Sequence, residues 1–292
     1  MTDTSTPVAV RDAATVMLVR DGADGLEVFM LKRNARSEFV PGTFVFPGGA
    51  VDNADRDDPG LPAVCMGLDD AVASAMLNVD RGGLAYWVAA VRECFEEAGV
   101  LLANDDSGAV SFADDETHDR FEGYRAAVYS GDQRLADVVA TEGLRLDLDD
   151  LRYVSHWITP IGPPKRFDTR FFLAMMPADQ RPLHDGGETV ESVWIRPAEA
   201  LSLAEAGRFS MILPTIANLE PLADLASVAE AVAWADGLGP IPEILPAIVP
   251  QKDGPPSVLM PGDDGYEAAL GRPPTEGTVN TPPTPPARTT SA

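Results

Sequence analysis

The run Leu84 to Leu102, LAYWVAAVRECFEEAGVLL, brings three carboxylates within reach of one another. Trp87, Ala90, Val91, Cys94, Phe95 and Ala98 recur at spacings of three and four, the apolar stripe of an amphipathic helix. Gly82 and Gly83 precede the run, and Gly99 stands where a left-handed residue closes a helix. At about 100° per residue, Glu93, Glu96 and Glu97 fall within an arc of roughly 100° on the other face. Acids this close repel one another, and Arg92 lies beside the arc. A hard divalent cation relieves the repulsion, because Mg²⁺ or Mn²⁺ prefers oxygen donors. The alternative is a solvated acidic face.

Residues 44–55, FVFPGGAVDNAD, supply the context. An aromatic, β-branched run stops at Pro47-Gly48-Gly49, so a strand is expected to enter a tight loop. Gly, lacking Cβ, lets backbone come close to a ligand there. Gly49, Asp55 and the run Arg92-Glu93-Cys94-Phe95-Glu96-Glu97-Ala98-Gly99-Val100 together resemble the Nudix box. That box reads Gly, five residues, Glu, seven residues, then Arg-Glu-apolar-x-Glu-Glu-x-Gly-apolar. Three features depart from it. Cys94 is a weak aliphatic, Asp55 replaces the first Glu, and thirty-six residues, not seven, separate Asp55 from Arg92. The stretches RNARSEFVPGTFVFPGGAVDNADRD and WITPIGPPKRFDTRFFLA extend the likeness. They are similar to a Nudix branch with an insertion inside the box, which includes peroxisomal coenzyme A diphosphatases of animals.

The resemblance implies an α/β fold, an α/β/α sandwich with a mixed sheet, helical insertions and an extended C-terminal arm. It implies Mg²⁺ or Mn²⁺ held by Glu93, Glu96 and Glu97, with a backbone carbonyl from Gly48 or Gly49. Arg92 would hold the carboxylates in place, and Glu188, Glu191 or Asp55 would supply a further acid. The implied reaction is hydrolysis of a diphosphate linking a nucleoside to another group. Coenzyme A or acyl-coenzyme A, giving 3′,5′-ADP and phosphopantetheine, leads. NADH, ADP-ribose or another nucleotide stays open, as does a non-catalytic ligand-binding module. A homodimer is a family expectation.

Bulk properties narrow the field. The chain has 292 residues, 45% of them hydrophobic, with a net charge of −24 and a pI near 4.3. Nucleic acid and anionic membranes are poor partners for that charge, and a phosphorylated substrate needs cations to bridge it. Two cysteines argue against a disulfide framework, and Cys94 sits on the core side of its helix. No signal core or apolar run of membrane-spanning length is present, so a cytoplasmic location is expected.

The remaining elements must position the helix. Residues 13–19 and 26–31 read as a hairpin, with Lys32, Arg33 and Arg36 after it, set either to meet phosphate or to lie on the surface. The insertion at about 57–83 carries one helical pattern, Asp69–Leu77, with Asp69 as N-cap and Val72, Ala75 and Met76 as its apolar stripe. A second, acidic insertion spans about 104–150, with Phe121, Tyr124 and Val128 as a face and Asp147–Asp150 as turn chemistry. Two strands follow, and alternation in KRFDTRFFLAMM places Arg166, Asp168 and Arg170 on one face. Arg166 and Arg170 could grip a diphosphate, or form a cross-strand ion-pair ladder with His156 structural nearby. Pro197 opens a helix, and residues 211–235 close the domain. The expected organisation is a flexible 1–10, a domain over 11–240, an arm over 241–270 and a disordered 271–292.

Overall fold

The computed structural model describes residues 8–271, apart from 38, 39, 252, 253 and 255. The disorder expected of 272–292, and of 1–7, therefore lies outside the described residues. β1 (Val10–Gly22) and β2 (Gly25–Arg33) form the hairpin, and both are longer than the apolar runs that announce them. The aromatic run 44–50 is split by Pro47 into β3 (Phe44–Val45), paired with β2, and β4 (Gly48–Ala50), paired with β1. Gly48 and Gly49 thus belong to a strand and not to the expected loop.

The first insertion holds α1 (Asn53–Asp57), α2 (Leu61–Val64), β5 (Cys65–Met66) and α3 (Asp70–Leu77). It leads into α4 (Leu84–Ala98), closed by Gly99 at φ +69°. The second insertion opens with a hairpin absent from the sequence expectation, β6 (Asn104–Asp105) and β7 (Gly108–Ala109). It continues through α5 (Asp115–Ser130) and α6 (Leu135–Thr141) to β8 (Leu146–Asp147) and a 3-10 turn at Leu148–Asp150. Next come β9 (Arg152–Ile158), β10 (Arg166–Met175), β11 (Thr189–Ile195), α7 (Pro197–Glu205), α8 (Leu213–Leu219) and α9 (Val228–Asp236).

The main sheet runs β11-β2-β1-β10-β9-β12, where β12 is Glu243–Ile244. β1 with β10 and β9 with β12 are parallel, and the other pairs are antiparallel, so the sheet is mixed. Both of its faces are covered. Val16, Leu18 and Phe172 pack with Trp87, Val91 and Phe95 of α4. Met17, Val19 and Phe171 pack with Ala200, Leu219 and Ala231 of the C-terminal helices. Period-two alternation sends neighbouring residues to opposite cores, which makes these strands continuously apolar. The expected α/β/α sandwich is the observed fold. Trp87 anchors α4 by donating Nε1–H to the Leu151 carbonyl at 3.0 Å.

After α9 the arm makes contacts with the domain and with itself. β12 extends the sheet edge, β13 (Ala247–Val249) pairs with β14 (Ser257–Leu259), and Tyr266 of α10 (Tyr266–Ala269) donates its hydroxyl to the Leu245 carbonyl. The stripe expected of α3 is corrected. Val72 and Met76 are each 50% exposed and Ala75 is exposed, while Ala73, Ser74 and Leu77 face inward. Polar ties set that rotation. Asp70 accepts N–H bonds from Gly82 and Leu84, and Ser74 Oγ accepts from Gly83.

A Cβ on Gly99 would lie 2.9 Å from Nη1 of Arg125, on a left-handed backbone that alanine dislikes. Gly131, at φ +76°, has nothing within 4 Å of its own added Cβ. Gly131→Ala is expected to cost about 1 kcal/mol of strain and Gly99→Ala about 2–3 kcal/mol. Urea unfolding of the two variants side by side checks the difference.

Candidate active site

The acidic face of α4 is drawn under β4 by a buried arginine. Arg92 grips Asp55 of α1 with both arms: Nε donates to Oδ1 and Nη2 to Oδ2, each at 2.9 Å. Nη2 also donates to the Ala50 carbonyl at 2.8 Å, and Nη1 reaches Glu93 at 2.9 Å and Glu96 at 3.3 Å. Arg92 is 8% exposed and Asp55 3%. Asp55 further accepts the Asp52 N–H at 2.8 Å, the reciprocal half of a capping box on α1. It is therefore engaged with Arg92 and the helix start, the place the structure gives to a residue expected as a possible extra acid.

Glu97 lies deepest, 4% exposed, and accepts the Gly48 N–H at 2.9 Å. The cluster touches the N–H of Gly48, whereas the sequence reading anticipated a carbonyl. Gly48 is glycine for want of room, since a Cβ there would sit 2.5 Å from the Ala14 carbonyl oxygen, while one on Gly49 would press on the Glu93 carboxylate. Burial pushes all three carboxyls of α4 upward: Glu93 to about 7, Glu96 above its ordinary value, and Glu97 well above the ordinary range. Arg92 pulls Glu93 and Glu96 back down, and Glu96 in turn raises Glu93. For Glu97 the repulsion of Glu93 adds to burial, opposed by Gly48 and by Arg33 at the end of β2.

Among the described residues, no three His, Cys, Asp or Glu side chains are gathered closely enough to hold an ion as they stand. Arg92 Nη1 occupies the place between Glu93 and Glu96. The donor chemistry nevertheless fits a hard cation: all are oxygens, and desolvation leaves them with unbalanced charge that a divalent ion would neutralise.

Arg33 and Glu188 complete this end. Arg33 Nη2 is 3.8 Å from a Glu188 carboxylate oxygen, and Arg33 Nε is buried without a hydrogen-bond partner. Glu188 is about half exposed on the turn before β11, and its charge helps to raise Glu97. Arg36 is exposed, and its N–H donates to Asn34 Oδ1. Lys32 pairs instead with Glu191 at 3.0 Å.

Arg166 and Arg170, expected either to grip a diphosphate or to join a cross-strand ion-pair ladder, are both engaged with groups of the protein itself. Arg166, 7% exposed, donates Nε to the carbonyls of Thr159 and Pro160 and Nη1 to that of Val8. Arg170, 3% exposed, is engaged with Asp168 and His156 and lies over the Tyr86 ring at 5.1 Å. Alternation did put them on one face, but the β9–β10 ladder and turn hold both guanidinium groups. Asp168 stays below the usual carboxylate range despite burial, because His156 and Arg170 bond to it.

Sequence reading missed two positioning residues. Arg125 of α5 donates to the carbonyls of Glu96, Glu97 and Leu183, so the second insertion satisfies the last carbonyls of α4. Gln180 bridges Leu101 and Val110 through three bonds, holding the chain that leaves α4. A buried polar residue far away in sequence carries no local signal of its partner. Cys94 is fully buried, and burial pushes its thiol up. Among the described residues, no helix is long and apolar enough to cross a membrane.

Comparison with known proteins bears on this geometry. The family model described as the NUDT19 Nudix domain matches residues 69–221, just over half of the chain. A Xenopus laevis protein named acyl-coenzyme A diphosphatase NUDT19 is 26% identical over 271 residues, spanning 82% of this chain and 71% of that one. The Homo sapiens protein of the same name is 28% identical over 275 residues, spanning 84% and 73%. A crystal structure of a Nudix hydrolase from Alicyclobacillus acidocaldarius is similar at a TM-score of 0.64 and 29% identity, covering 80% of this chain and 99% of that one.

Two outcomes follow from the buried charges. Asp55→Asn leaves Arg92 short of its bidentate partner and is expected to cost about 3 kcal/mol or more in urea unfolding. Burial pushes the Glu93 carboxyl in the folded protein up to about 7, from an ordinary 4.5. Its protonated form is favoured by folding, so its contribution is full below 4.5 and is lost as pH rises to about 7. In chelator, the native protein should lose thermal stability relative to Glu93→Gln over that interval. A divalent cation should restore it. Parallel melts from about pH 4 to 8 test both points.

Proposed function

The chain belongs to the Nudix family, and from that premise we propose that it hydrolyses coenzyme A or acyl-coenzyme A to 3′,5′-ADP and the phosphopantetheine product. The observation that carries the reading is the convergence of three α4 carboxylates, Glu97 buried and Glu93 and Glu96 partly so, with Arg33 and Glu188. Such a site suits a diphosphate, whose anionic oxygens need countercharge on both sides of the bond that breaks. The names of the vertebrate relatives support coenzyme A over other linked nucleotides.

Water adds to one phosphorus, the bridging P–O bond breaks, and the leaving phosphate takes the electron pair. Held by Glu93, Glu96 and Glu97, Mg²⁺ or Mn²⁺ would supply charge neutralisation and a more acidic water. Arg92 and the Gly48 N–H keep the carboxylates aimed while they are desolvated. Arg33, with Nε unpartnered and buried, offers a fixed donor to a phosphate oxygen. The proton of the attacking water goes to a carboxylate, and Glu188 stands outside the Arg92 network with room to move. The Asp55 replacement, which favoured a non-catalytic module, keeps the arginine ion pair and so does not speak against turnover.

A panel of coenzyme A, acetyl-coenzyme A, NADH and ADP-ribose with Mg²⁺ or Mn²⁺ tests the reading by release of mononucleotide. Release of 3′,5′-ADP from the first two is expected. Glu97→Gln should lower kcat by about 100-fold or more while the protein stays folded, the scale of losing a group that acts in the transition state. Arg33→Ala should weaken kcat/KM by about tenfold, near 1.4 kcal/mol for one charged hydrogen bond. Turnover confined to NADH or ADP-ribose would keep the mechanism and discard coenzyme A.

A further inference from the structure

A cleft of about 280 Å³ adjoins the carboxylate cluster, and its walls are the two insertions. Its lining takes Ala54 from α1, Leu61 from α2, Val88 and Glu96 from α4, Val128 from α5 and Gln133 from the α5–α6 turn. The walls are tied to each other. β5 pairs in parallel with β8, joining Cys65 to Leu146 and Met66 to Asp147. Arg134 Nη1 meets the buried Asp58 at 2.9 Å. Two excursions that are far apart in sequence are thus held as one rim over one end of the site.

The chemistry of the cleft differs from that of the Arg33 side. Its charged lining includes four acids, Asp52, Asp55, Asp58 and Glu96. Its two cations, Arg92 and Arg134, are both in ion pairs, Arg92 with Asp55 and Arg134 with Asp58 and Asp137. A phosphate entering here meets net negative charge in a confined space. Arg33 at the end of β2, loosely paired with Glu188 at 3.8 Å and with Nε unpartnered, is the better place for the phosphorylated nucleotide half. What the cleft can hold is the uncharged half. Leu61, Val88 and Val128 cover aliphatic carbon, and carboxylate oxygens accept N–H bonds from amides. Its volume lies just below the usual range for ligand pockets of about 300–1,000 Å³, which suits a narrow chain better than a second nucleotide. A separate cleft of about 240 Å³, between the β6–β7 hairpin and the end of β10, has none of the α4 carboxylates on its wall.

We propose that the cleft between the two insertions is the subsite for the uncharged, amide-bearing arm of the substrate, with the nucleotide half directed to the Arg33 side. This rests on the diphosphatase reading for the location of the bond that breaks. It goes beyond that reading by giving the insertions a shared task in substrate choice.

Ala54 is exposed and Gln133 half-buried, one lining residue from each insertion, so a bulky side chain at either narrows the cleft without disturbing the core. The variants are Ala54→Trp and Gln133→Trp. Two substrates are compared: coenzyme A, and the methyl ester of 3′-phosphoadenosine 5′-diphosphate, which has the nucleotide half and no arm. The ratio of kcat/KM for coenzyme A to that for the methyl ester should fall about tenfold in each variant, carried by KM. An unchanged ratio in both variants overturns the proposal. Pantetheine itself, titrated by heteronuclear NMR, is a second readout that needs no turnover. Saturable binding to the native protein, lost in both variants, supports the subsite. Binding that is absent, or untouched by either tryptophan, overturns it. If coenzyme A is not hydrolysed by the native protein, the diphosphatase reading fails, and the cleft is judged on pantetheine alone.

Discussion

Everything at the active end leans on one buried guanidinium. Arg92 reaches α1 through Asp55, β4 through the Ala50 carbonyl, and its own helix through Glu93 and Glu96. Five N–H donors in a rigid fork suit this task, and lysine could not serve three directions at once. Taking such a charge out of water is costly, and the geometry offsets the cost only because every arm finds an acceptor. The same contact explains how the chain tolerates thirty-six residues between Asp55 and Arg92. The excursion begins and ends on an ion pair, so its length adds little entropy penalty.

Around that centre the protein buries carboxyls whose charged forms are disfavoured. Glu97 is buried against a single backbone N–H, and Glu93 is held near neutrality in its titration. Strain kept at a functional site and compensated elsewhere is the expected pattern, and the compensation is visible. Arg125 closes the carbonyl end of α4, Gln180 secures the exit, and Trp87 pins the opposite end to Leu151. Arg125 comes from the second insertion, so that segment is part of the frame that keeps α4 in place.

The two insertions illustrate what local patterns miss. In α3, Val72, Ala75 and Met76 read as the buried stripe, yet Ala73, Ser74 and Leu77 face inward. For eight residues the hydrophobic pattern is weak, and the hydrogen bonds of Asp70 and Ser74 to the start of α4 outweigh it. Arg166 and Arg170 show a related limit. Alternation assigns a face, but the same face holds carbonyls, Asp168 and His156, which take up both side chains. A basic residue on the right face has a charge and a direction; its partner comes from neighbouring strands.

The amino-acid sequence by itself determined α4, its two faces, its left-handed close at Gly99 and the apolar strands that flank it, because those features follow from periodicity and glycine's conformational freedom over a few residues. The likeness of residues 49–100 to a split Nudix box determined the α/β/α fold and the acidic cluster with its arginine. Tertiary structure alone decided the partner of each charge: Asp55 for Arg92, Arg33 beside Glu97 and Glu188, Arg125 on the carbonyls of Glu96 and Glu97. It alone brought β5 onto β8, making one rim of two insertions. The physical reason is range. Backbone preference and amphipathic pattern act within a helix or a strand, whereas a buried charge is satisfied by whatever group the folded chain carries to within about 3 Å.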